Sequence, residues 1–179
     1  MRNNTEAAML AKDLVRQYGT HDPFRLCEYM DIYVLMSDFK YQKGVFRVIN
    51  NFPFIFINEN LSLETQRIIC AHELGHAMLH KDLANQMGGL IETELFAVTN
   101  SCEVEANQFA AALLIEDGEL LDLLHEGYDL LACAREMSIH MGLLSVRLKD
   151  LAEINKDLRP SVYMDARFLG SIGENAGSY

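Results

Sequence analysis

His72-Glu73-Leu74-Gly75-His76 is a stretch whose residue types and spacing could do chemistry. On a helix, residues four apart share a face, because 3.6 residues complete a turn. His72 and His76 would then project side by side, about 6 Å apart along the axis. Two imidazoles so placed suit one tetrahedral zinc ion, with Zn–N distances of about 2.0–2.1 Å. Glu73 directly follows the first imidazole, so it can face a water on the metal without being a ligand, and can take a proton from it as general base. A His-x-x-x-His pair alone arises on helices by chance. The intervening Glu, and the small Gly75 that lets another element approach closely, set this pair apart. His80 continues the row, yet it lies about 12 Å along the axis from His72, so one ion cannot take all three from a straight helix. His80 is read as a cation or hydrogen-bond donor at the helix C-terminus.

A catalytic zinc takes three protein ligands and keeps one position open. The third is expected at the acidic start of a second helix, running from about Cys102 to Ile115 and capped by Asn100-Ser101. Glu103 and Asn107 are four apart and share a face. With Glu103 on the metal, Asn107 could hydrogen-bond the outer nitrogen of a histidine ligand. Glu105 points about 200° away from Glu103, so the two carboxylates do not suit the same ion. Either could instead be an ordinary carboxylate stabilising the first helical turn. Glu103 is the stronger ligand candidate and Glu105 the weaker.

The elements that must position these residues follow from periodicity and turn chemistry. Residues 5–18 form a helix pattern, with Ala8, Leu10, Leu14, Val15 and Tyr18 on one face. Asp22-Pro23 is an N-cap and first helical residue, opening a helix to about Tyr29. Strand candidates are Ile32–Met36, Val45–Ile49 and Phe54–Ile57, with Asn50-Asn51-Phe52-Pro53 as turn chemistry. Their short spacings favour antiparallel hairpins and a small, three-stranded, mostly antiparallel sheet. The metal helix should run from Ser62 to about His80 and be largely buried. Residues 81–98, with Gly88-Gly89, read as a loop with one irregular turn, long enough for a lid or rim. Shorter helices are expected around 120–125 and 130–137, with Ser138 capping a last one to about Leu151. The class is α+β, as a single domain over 1–159 whose C-terminal part, about 119–152, is helical. Residues 160–179, rich in glycine and serine, read as a flexible tail.

Half of the 179 residues are hydrophobic, enough for a real core, and the formal net charge of −11 argues against direct nucleic-acid binding. Cys27, Cys70, Cys102 and Cys133 form no Cys-x-x-Cys pair and suit reduced thiols, read as small hydrophobes rather than ligands. There is no signal-like apolar segment and no apolar run of 18 residues, so a soluble, cytoplasmic protein without membrane attachment is expected.

His72-Glu73-Leu74-Gly75-His76 with Leu79-His80, followed by Glu103-x-Glu105-Ala106-Asn107-x-Phe109-Ala110-Ala111-x-Leu113-Leu114, resembles the ImmA/IrrE family of zinc metallopeptidases. The resemblance extends to Phe56-Ile57-Asn58 and to the segment from Leu131 to Leu148, covering roughly residues 20–150. It implies a zincin-like core, a Zn2+ cofactor on His72, His76 and Glu103, and Glu73 as the catalytic base. The Glu103-to-Asn107 spacing is similar to the Glu-x-x-x-Asp signature of other gluzincins. Ile115-Glu116-Asp117 stands where family members often have Met-Pro, which touches the exit of the helix and not the ligands. The implied substrate is a helix-turn-helix transcriptional repressor, cleaved to derepress a phage, a mobile element or a stress regulon. A rival of a different class is a metal-containing binding module that inhibits a repressor without cutting it, although a purely structural site has no use for Glu73. Zincins commonly hold substrate as an added strand, here expected along residues 43–58. His125, Tyr128, His140 and Tyr163 are all candidates for stabilising an oxyanion.

Overall fold

The computed structural model describes residues 4–87, 90–92 and 101–154. Gly88-Gly89, Asn100, Tyr163 and the tail at 160–179 lie outside the described residues. The chain divides after Glu116 into two compact units.

In the first unit, α1 (Asn4–Tyr18) stops where Gly19 turns to φ +66 and its N–H donates to Val15 O at 2.8 Å. Ala7, Ala8, Ala11 and Leu14 are its buried residues, so small side chains let it lie close to its neighbours. Asp22 caps α2 (Pro23–Tyr29), accepting from Phe24 N at 3.0 Å with Pro23 in the first turn, as its sequence predicts.

Three strands follow: β1 (Tyr33–Ser37), β2 (Gly44–Ile49) and β3 (Phe52–Asn58). β2 and β3 form an antiparallel hairpin over a two-residue loop. Asn50 and Asn51 both take positive φ there, 51° and 68°, the conformation that matches strand twist in tight hairpins and that Asn tolerates. Pro53 opens β3 before β1 begins to pair at Phe54, so its missing N–H removes no bond from that ladder.

The sheet is mostly antiparallel, as expected, but a fourth strand joins it and β1 pairs in parallel rather than in a hairpin. β1 runs parallel to β3, and the order is β1-β3-β2-β4, with β4 (Leu90–Glu92) antiparallel to β2. β1 and β2 do run in opposite directions, as their short link requires, but β3 inserts between them. The link, residues 38–43, must therefore pass the end of β3. Asn58 pins it there, donating from Nδ2 to Phe39 O at 3.0 Å and to Gln42 O at 2.9 Å. The segment expected to be a loop after residue 80 instead holds α4 (Lys81–Met87) and β4. Among the described residues the sheet edges are thus β1 and β4; within 43–58, β3 is interior and β4 covers β2 at Gly44–Phe46.

Gly44, Phe46, Ile55 and Ile57 are buried on one face of the sheet, where α3 (Leu63–Leu79) packs. Tyr33, Phe52, Phe54 and Phe56 form an aromatic ladder on the other, with Tyr33 and Phe54 ring centroids 5.1 Å apart. Ser62 caps α3 by accepting from Thr65 N at 3.2 Å. α3 is buried almost continuously from Gln66 to Ala77, between the sheet and α5 (Ser101–Leu114).

The second unit holds α6 (Asp117–His125), α7 (Leu130–Glu136), capped by Asp129, and α8 (Met141–Ile154). Ser138 is not the cap of α8: its φ of +51 places it in the turn that ends α7. His140 takes that role, its Nδ1 accepting from Gly142 N at 3.1 Å. No helix among the described residues is long and apolar enough to cross a membrane.

Candidate metal centre

The site forms where α3 and α5 cross. Gly75 makes the crossing close: a Cβ there would meet the Ala106 Cα and Phe109 at 3.2 Å. With α5 seated so near, Glu103, one turn before Ala106, reaches the imidazoles of His72 and His76. His72 Nε2 lies 3.0 Å from His76 Nε2 and 3.2 Å from Glu103 Oε2, and His76 Nε2 lies 3.5 Å from Glu103 Oε1. His72 and His76 are buried and Glu103 is partly exposed.

These distances fit a metal. Donors on a tetrahedral ion with bonds of 2.0–2.1 Å are about 3.3 Å apart. The electrostatics fit too. Asn107 Oδ1 lies 3.0 Å from His72 Nδ1, so that nitrogen donates and Nε2 is left with its lone pair facing inward. Burial, with help from neighbouring His72, lowers the His76 pKa to about 4, keeping it neutral and ready to ligate. Burial alone would raise the Glu103 carboxyl, but the two imidazoles beside it outweigh that and hold the group well below the ordinary range. Lone pairs and a carboxylate converging at such distances repel one another unless a cation lies between them. His72, His76 and Glu103 could hold that cation.

Glu73 is fully buried on α3, next to the cluster in sequence. β2 presses on it at Gly44, where a Cβ would come 2.6 Å from Glu73 Oε1. That glycine, not singled out from the sequence, is the space in which the carboxylate sits. Asn107 stands where its shared face with Glu103 predicts. His80 does cap α3, but its ring does not serve the last carbonyls. It bridges His76 Nδ1 and Glu105 Oε2, each at 3.0 Å. Glu105 therefore does more than stabilise the first turn of α5. The four-residue step from His76 to His80 was a visible signal; the partner 25 residues on was not.

Cys70 and Cys27 are buried, their sulfurs 4.0 Å apart, and burial pushes the Cys70 thiol well up, so it is protonated and no thiolate ligand. Of the oxyanion candidates, His125, Tyr128 and His140 belong to the second unit and are exposed.

Known proteins resemble the chain. It is 35% identical over 105 residues to "Uncharacterized immunity region protein 2" of Bacillus phage phi105, covering 58% of this chain and 65% of that one. It is 28% identical over 120 residues to "Metallopeptidase ImmA" of Bacillus subtilis (strain 168), covering 63% of this chain. The chain thus spans 65% of the length of each of these relatives. The peptidase family described as "IrrE N-terminal-like domain" matches residues 27–149, which take in every residue of the cluster. With both histidines, Glu73 and Glu103 inside that match, the chain belongs to the IrrE N-terminal-like peptidase family, the ImmA/IrrE family of its sequence motifs.

Proposed function

We propose that the chain is a zinc-dependent endopeptidase acting in the cytoplasm on a protein substrate, a helix-turn-helix transcriptional repressor. The observation that carries this reading is the convergence of His72 Nε2, His76 Nε2 and the Glu103 carboxylate on one point. A bound zinc would lower the pKa of a water and polarise the scissile carbonyl. His72 and His76 would hold the ion through Nε2, and Glu103 through its carboxylate. Asn107 keeps His72 in the tautomer that ligates, because its amide oxygen accepts from Nδ1–H. Glu73, confined between α3 and Gly44, would take the proton of the attacking water and deliver it to the departing amine. Membership in a peptidase family and the metallopeptidase name of one relative support the reaction. A relative named for a phage immunity region supports a target that controls a phage. The net charge of −11 fits a protein that meets the repressor rather than its DNA.

Glu73→Gln tests the reading, since it removes the base while keeping size. It should retain one zinc per chain and cut the repressor ~10²–10⁴-fold more slowly on a gel, with the repressor's promoter staying silent. Full promoter activation by Glu73→Gln without cleaved repressor would replace the peptidase with a binding module.

A further inference from the structure

Each imidazole of the proposed metal pair has a second hydrogen bond, and the two supports differ. His72 leans on one amide, Asn107. His76 leans on a second imidazole and, through it, on a carboxylate: His76 Nδ1 to His80 Nδ1 at 3.0 Å, then His80 Nε2 to Glu105 Oε2 at 3.0 Å. His80 is buried, and Glu105 is about four-fifths covered, its side chain 19% exposed.

The hydrogens in this chain have one consistent placement. A hydrogen bond between two ring nitrogens uses a single hydrogen, so one donates and the other accepts. A carboxylate only accepts, so His80 Nε2 carries the hydrogen that meets Glu105. A neutral His80 then presents a bare Nδ1, which accepts from His76 Nδ1–H. His76 is left with a bare Nε2, the atom that faces His72 and Glu103. A neutral imidazole in water prefers its hydrogen on Nε2, which would block ligation.

We infer that Glu105 and His80 are positioning residues, a two-step relay that selects the Nδ1–H tautomer of His76 and aims its Nε2 lone pair at the metal. The relay rests on the metal site proposed above. It also gives α5 two tasks from opposite sides, since Glu103 and Glu105 lie about 200° apart on one helix. The seating of α5 sets both the ligand and the support of another ligand.

The test uses full-length wild type, His80→Phe, Glu105→Leu and Glu105→Gln. Zinc dissociation constants come from chelator competition, and the His76 tautomer from ring ¹⁵N shifts of zinc-free protein. His80→Phe and Glu105→Leu should bind zinc about 10–100-fold more weakly. Glu105→Gln, whose amide oxygen can still accept from His80, should restore most of that loss. His76 should carry its hydrogen on Nδ1 in wild type and shift towards Nε2–H in His80→Phe and Glu105→Leu. Wild-type affinity in both of these, an unmoved tautomer, or a Glu105→Gln as weak as Glu105→Leu would overturn the relay. Should His80→Phe fail to fold, the two Glu105 variants decide by the same outcomes. A wild type that binds no zinc would sink the metal site instead, while the tautomer readout still judges the relay.

Discussion

Two polar clusters buried among the described residues close in opposite ways. In the second unit Arg147, 1% exposed, donates from Nε and Nη2 to the two oxygens of Asp117 at 2.7 and 2.8 Å, with Asp150 at 4.0 Å from Nη1. That is a two-pronged charge-assisted pair, and the protein supplies its own cation. In the first unit, the inward atoms of His72, His76 and Glu103 are all acceptors. Both clusters remove charge from water; the second unit's holds a cation of its own, and the first unit's has only acceptors facing inward. A buried ionic group is structural when its charge closes within the chain, and a candidate site when its lone pairs converge on a point that needs a guest.

Emptying each cluster should separate them. His72→Ala or His76→Ala should reduce bound metal from one ion per chain to less than about one tenth by elemental analysis, since two ligands on a four-coordinate ion hold it poorly. Metal retained at full stoichiometry in both would erase the contrast. Arg147→Leu should do the reverse. It removes the guanidinium that Asp117 and Asp150 face, destabilising the protein by about 3–5 kcal/mol in urea titration, with metal per folded chain unchanged.

A smaller effect sharpens the contrast through pH. The His76 pKa falls from the ordinary 6.5 to about 4 on folding, so between those values the unfolded chain binds the extra proton. Stability of metal-free protein is then complete above about pH 6.5 and falls on acidification towards pH 4, by roughly 3 kcal/mol at most. Glu103, depressed instead, adds its loss only once pH drops below the ordinary carboxylate range. Urea midpoints measured at pH 7 and pH 5 should differ in wild type and converge in His76→Leu.

The sequence made legible much of what is written in local chemistry, though not the cap of α8, which is His140 rather than Ser138. Ser62 marks the start of α3, Asp22-Pro23 that of α2, and Asn50-Asn51 the hairpin, because each cap or turn satisfies its own backbone within a few residues. The His72, His76 and Glu103 grouping was legible because helical spacing reduces each half of the site to a face. What stayed hidden depends on a distant partner. The parallel pairing of β1 follows from β3 inserting between β1 and β2, which no link length encodes. β4 is three residues long and exists as a strand because β2 offers Gly44–Phe46 to pair with. Glu105 looked like a dipole-stabilising carboxylate because His80, its partner, comes from another helix.

Gly75 has a consequence for which ion the cage will accept. A methyl group there would meet α5 at backbone, the Ala106 Cα, as well as at Phe109. Backbone cannot swing aside, so the two helices would have to part. The histidines ride on α3 and the carboxylate on α5, so parting them widens the bite between nitrogen and oxygen donors. A wider bite suits bonds of about 2.3–2.6 Å, as calcium makes with oxygen, better than the 2.0–2.1 Å of zinc to imidazole. Gly75 is therefore the spacer that would gauge the proposed cage for a small ion.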